Sequence, residues 1–206
     1  MLVVLGVAQL VLPKIAEQRL RDELERSGSV LEVKVSAFPA IKLLWHNADS
    51  VVVRLGAYRS PAGAIGSSLA RAADVGTLDA SARELDSGAL TVRNATLRKR
   101  GDQLVGTATI AQADLRAAVP FLDNVQPVAS QDGRLVLRGT ATLLGLNASV
   151  DVTVAAQNGD LVVAPNVPFG GLATITLFSD PRIQVQSIAA AAVPGGFSLQ
   201  VQARLR

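Results

Sequence analysis

The sequence predicts an α+β fold, a curved and mainly antiparallel meander sheet wrapped around one long N-terminal amphipathic helix. Three observations lead there. One segment near the start carries apolar residues at helical spacing, almost everything after it alternates with period two, and glycine-bearing dipeptides punctuate the alternating part. With 206 residues, 49% of them apolar, the chain is long enough for one well-buried domain and short for two.

The helix comes first. Lys14 to Arg26 reads KIAEQRLRDELER, rich in helix formers, and Leu12, Ala16, Leu20 and Leu24 fall four apart on one face. Glu17 with Arg21, and Asp22 with Arg26, are spaced as supporting ion pairs, and Ser27-Gly28 ends the segment. Upstream, Met1 to Leu12 is apolar apart from Gln9 and runs into Pro13-Lys14. A membrane span needs about 20 such residues, and a secretory signal needs a basic start that this stretch lacks. Two readings stand: residues 1–13 are an apolar membrane anchor or signal remnant ahead of a single domain at 14–206, or Leu2 to Leu12 is the buried first half of a core helix. Pro13 is expected to kink or begin the helix and so to separate the two segments.

The strands follow. Leu31, Val33, Val35 and Ala37 alternate with Glu32, Lys34 and Ser36, and the pattern returns at Val51, Val53 and Leu55. It recurs at Leu104, Gly106, Ala108 and Ile110, at Leu135 to Leu143, at Ala148 to Val154, and at Phe197 to Leu205. Ser87-Gly88, Gly101-Asp102, Asp132-Gly133, Asn158-Gly159 and Gly195-Gly196 read as hairpin turns, because their glycines tolerate the positive φ such turns need. Short helices are expected at Ala113 to Leu122 and Ser67 to Ala73, with a mobile loop at Ala57 to Ser68. One slender helix cannot shield about eight strands. Either the sheet curls into its own core, or part of its apolar face stays open as a groove.

Composition narrows the chemistry. With five Phe, one Trp and one Tyr, contacts must be built from aliphatic side chains, which suits an aliphatic ligand better than stacked bases. The net charge of +3 is scattered, with Arg98-Lys99-Arg100 the only run of three, so nucleic acid is not an expected partner. A mildly basic balance does suit acidic lipid headgroups, at about 1 kcal/mol per Lys or Arg near the surface. There is no cysteine and a single histidine, His46. Its neighbours Asp49 and Ser50 lie too close along an extended segment to converge as a catalytic triad. No cofactor, metal or nucleotide motif is present, and no catalytic residue is assigned. Two N-x-S/T triplets, at Asn94 and Asn147, fall inside expected strands and read as chance.

Ala37 to Leu55 reads AFPAIKLLWHNADSVVVRL, and with AQADLRAAV at Ala111 to Val119 and VPGGFSLQVQARLR at Val193 to Arg206 it resembles the LmeA-like phospholipid-binding proteins of the actinobacterial cell envelope. The likeness runs along nearly the whole chain, carried by short aliphatic motifs. Ala37 stands where that family has glycine before Phe-Pro, and His46 where it often has glycine after the Leu-Leu pair, so the local turn is in doubt. The resemblance implies a phospholipid-binding protein outside the cytoplasmic membrane, anchored to or associated with it, in a tubular-lipid-binding-like fold.

Candidate groove-lining residues are Leu20, Leu24, Phe38, Leu43, Leu44, Trp45, Phe121, Phe169, Phe178 and Phe197. Trp45 fits a membrane interface or groove mouth, and equally an ordinary core crossover. Arg98, Lys99 and Arg100 sit at an expected hairpin tip, to touch anionic headgroups or simply to be solvated. Lipid capture needs no catalytic group, since each methylene removed from water contributes about 0.8 kcal/mol. The competing reading is a structural adaptor whose apolar face docks on a membrane protein or envelope-biosynthesis enzyme.

Overall fold

The computed structural model describes residues 2–45, 47–60, 72–86, 88, 91–114, 124–143, 146–166 and 174–206. Helix α1 runs unbroken from Leu2 to Glu25 with Pro13 inside it, so the apolar and amphipathic segments form one element rather than two. Glu17 is turned to a different use than expected. Its carboxylate accepts the Val35 N–H at 2.9 Å, while Arg21 pairs with Glu25.

Twelve strands follow among the described residues, in two sheets. The first contains β1 (Gly28–Ser36), β2 (Ala48–Arg59), β3 (Val75–Asp86), β4 (Thr91–Arg100), β5 (Gln103–Ala111), β12 (Gly196–Leu205) and β11 (Ile183–Val193), side by side in that order. The second contains β10 (Ile175–Phe178), β9 (Asp160–Pro165), β8 (Leu146–Gln157), β7 (Arg134–Leu143) and β6 (Asn124–Gln131). Pairing is antiparallel except for β2 with β3, which run parallel. Two 3-10 helices, η1 (Ala40–Trp45) and η2 (Ala72–Asp74), precede β2 and β3.

All five glycine dipeptides fall between paired strands, and Gly88, Gly101, Gly133, Gly159 and Gly195 each have positive φ. Two of these turns do more than reverse the chain. The Gly133 and Gly159 carbonyls accept the N–H groups of Ile188 and Val185, so hairpin tips of the second sheet cap the free edge of β11. Approach is close enough that a Cβ on Gly133 would lie 3.0 Å from the Ser187 Cβ.

Several expectations are corrected. Leu31 is not on the buried face: a bulge between Val30 and Glu32 turns it outward, 51% exposed, and Val30 packs inward instead. A loop is expected from Ala57, but β2 continues to Arg59, which pairs with Asp86. Residues 112–114 are helical, and the rest of the helix expected to Leu122 lies outside the described residues, as do 61–71. Nothing in the alternation announced that the strands divide into two sheets.

Candidate functional site

Strand register identifies the inner face of the first sheet. Val51 lies opposite Leu78, Leu78 opposite Lys99, Lys99 opposite Leu104, and Leu104 opposite Ala203, so one row crosses from β2 to β12. The next rows place Ala80, Leu97, Gly106 and Val201 together, and Ala95 beside Ala82.

Three separate packed regions cover parts of this face. At one margin Ala16, Leu20 and Leu24 of α1, with Leu43 of η1, pack on Val33, Val35, Val51 and Val53. At the other, Leu135, Leu137, Val154, Leu161 and Val163 of the second sheet pack on Ile188, Ala190, Leu199 and Val201. Phe178 closes a third cluster with Leu97, Leu104, Ile183 and Ala203. Between the two margins, Ala95, Gly106 and Ala108 belong to none of these clusters and are only half-buried. These three small residues lie on the inner face of β4 and β5, between the strands that α1 covers and those that the second sheet covers.

No large side chain among the described residues falls below 2% exposure.

The expected site residues are dispersed over this architecture. Leu20, Leu24 and Leu43 pack on β1 and β2, and Phe178 packs in the third cluster. Phe197 is buried on the inner face opposite Ile110 and Ala192. Phe38 is 76% exposed at the turn between β1 and η1. Leu44 and Trp45 belong to η1, but their side chains lie outside the described part, as do Phe121, Phe169 and His46 altogether.

The basic triplet is split by strand alternation. It is the end of β4 rather than the turn itself, and only Arg98 and Arg100 face outward, both paired with Asp79. Lys99 is 2% exposed on the inner face, with its ammonium donating to the Ala73 and Val75 carbonyls. A headgroup-facing role for Lys99 on the outer surface is therefore ruled out by its burial. Burial lowers its pKa below the ordinary value of 10.5, with Asp74 and Asp102 acting in the opposite direction.

At the same end, a half-open polar hollow of about 350 Å³ is lined by Lys42, Asn47, Ala48, Asp49, Asp74 and Gly76. The Asp49 carboxylate accepts the Phe38 N–H at 2.6 Å and the Lys42 ammonium at 3.2 Å. These bonds hold its pKa below the ordinary 3.8, the Phe38 N–H contributing most. Sequence reading noticed Asp49 only as a neighbour of His46. Among the described residues there is no cluster of His, Cys, Asp and Glu able to hold a metal, and no helix long and apolar enough to cross a membrane.

No curated protein and no solved structure matches the chain. A family model does, and it covers residues 3–203, from the first turns of α1 to the last residues of β12. The match thus runs over nearly the full sequence, and the chain belongs to the LmeA-like phospholipid-binding family.

Proposed function

We propose that this protein is a non-catalytic phospholipid-binding protein of the cell envelope, associated with the membrane surface, that holds acyl chains along the trough between α1 and the second sheet. The observation that carries the reading is the half-buried aliphatic floor of Ala95, Gly106 and Ala108, flanked by packed walls on the same sheet face. Ten methylenes laid on such a floor would gain roughly 8 kcal/mol before ordering costs, so hydrocarbon burial is a sufficient driving force. No nucleic acid, cofactor or reacting group enters this account. Organic extraction of the purified protein followed by mass spectrometry tests it. Phospholipid or another acyl lipid is expected near one molecule per chain, and a protein that yields no aliphatic material would overturn it.

A further inference from the structure

Ser36, Ala48, Val75 and Arg100 end or begin their strands at one common end of the first sheet, because Ser36 pairs with Ser50, Ala48 with Val75 and Thr77 with Arg100. The Glu17 to Val35 hydrogen bond fixes α1 relative to that end. Fifteen helical residues precede Glu17, so the N-terminal part of α1 extends up to about 22 Å beyond that bond at ~1.5 Å per residue.

What collects there is unlike the rest of the surface. Five large apolar side chains are markedly exposed among the described residues, and Val11, Ile15 and Phe38 all lie at this end, at 45%, 44% and 76%. The first 13 residues carry no charged side chain, and the first cation, Lys14, is exposed between Val11 and Ile15. A charge-free stretch that meets a lysine matches the boundary between hydrocarbon and headgroup, where a lysine stem lies among apolar groups and its ammonium reaches the phosphates.

We infer that the protein docks end-on to a phospholipid bilayer through this end of the sheet, seating Val11 in the leaflet with Lys14, Ile15 and Phe38 at headgroup level. The strands of the first sheet, and the trough proposed along β4 and β5, then point towards the membrane instead of lying flat on it. This inference rests on the lipid-binding reading above, but concerns orientation, which extraction of bound lipid does not measure.

The test uses the full chain with its only tryptophan removed (Trp45→Phe), carrying either Phe38→Trp or Arg59→Trp as a single probe. Arg59 lies at the opposite end of β2, and its side chain is 81% exposed. Vesicles of phosphatidylcholine and phosphatidylglycerol with brominated acyl chains quench tryptophans that enter the hydrocarbon. Quenching of the Phe38→Trp probe by about twofold, as expected of an aromatic ring at the membrane interface, with the Arg59→Trp probe unchanged, is the predicted result. Equal quenching at both probes, stronger quenching at the Arg59 position, or none at either overturns end-on docking, including docking on a protein partner. Should Trp45→Phe fail to fold, Phe38→Ala in the unaltered chain should weaken vesicle co-sedimentation about tenfold, the loss of one buried aromatic. Leu31→Ala, exposed on β1 nearer the far end, should leave it unchanged, and equal effects of the two substitutions contradict the orientation. Lipid recovered by extraction with no vesicle quenching would sink this inference alone and leave the lipid-binding reading standing.

Discussion

The two margins of the first sheet and its centre share one face and one alternating pattern, yet they are packed differently. At the margins, Val33, Val51 and Val53 meet α1, and Ile188 meets Leu135 and Val154 of the second sheet, all below 9% exposure. At the centre, Ala95, Gly106 and Ala108 are half-buried and belong to none of the three clusters of described residues. The difference teaches that the margins hold the fold, and it is the less closely packed centre that the proposed lipid would occupy.

The contrast breaks most sharply at the sheet-covered margin. Leu135 is 2% exposed in its cluster, so Leu135→Ala should cost about 2–4 kcal/mol, the usual range for a buried leucine. Urea denaturation measures it, and a cost under ~1 kcal/mol would mean that the second sheet is not firmly seated.

A smaller effect is expected where that sheet meets the β11 edge. Gly133 has φ +71°, and an added Cβ would sit 3.0 Å from Ser187. Gly133→Ala should therefore destabilise by about 1–2 kcal/mol through backbone strain and crowding together. Gly88, with φ +83° and nothing within 4 Å of an added Cβ, should show only the strain and so about 1 kcal/mol or less.

At the helix-covered end the expected signature is a pH dependence. The Asp49 pKa is lowered chiefly by the Phe38 N–H and then by Lys42. A carboxylate with a depressed folded pKa contributes stability that is present above its unfolded value, here 3.8, and is lost as pH falls through the folded value. Asp49→Asn should thus flatten part of the acid limb below pH 3.8 and leave the pH dependence near neutrality unchanged. An acid limb identical to the wild type, measured by thermal denaturation, would show that Asp49 does not pin the Phe38 turn in solution.

The period-two pattern revealed the inner faces of β2, β5 and β12 residue by residue, because a half-buried strand must alternate to satisfy both of its environments. The turn dipeptides revealed five reversals for an equally local reason, positive φ at glycine. What escaped was set by distant partners. Leu31 obeyed the alternation in sequence, but the bulge that expels it depends on β2. Lys99 read as one of three surface cations, whereas its neighbours on β3 and β5 place it on the inner face. The division into two sheets arises where the chain leaves the first sheet after β5 and returns to it at β11, a long-range pairing choice that alternation does not encode. The excess of apolar strand surface could be read from the sequence. The cover that the second sheet lays over β11 and β12 could not.

The most direct measurement is the lipid content of a chain whose trough has been filled from within. An added Cβ on Gly106 would meet nothing closer than the Thr96 carbonyl at 3.8 Å, so Gly106→Leu places an isobutyl group on the floor without a backbone clash. The account predicts a folded protein within about 1 kcal/mol of wild-type stability whose co-purified acyl lipid falls several-fold. Undiminished lipid in the folded Gly106→Leu protein would contradict it, by showing that the hydrocarbon lies elsewhere.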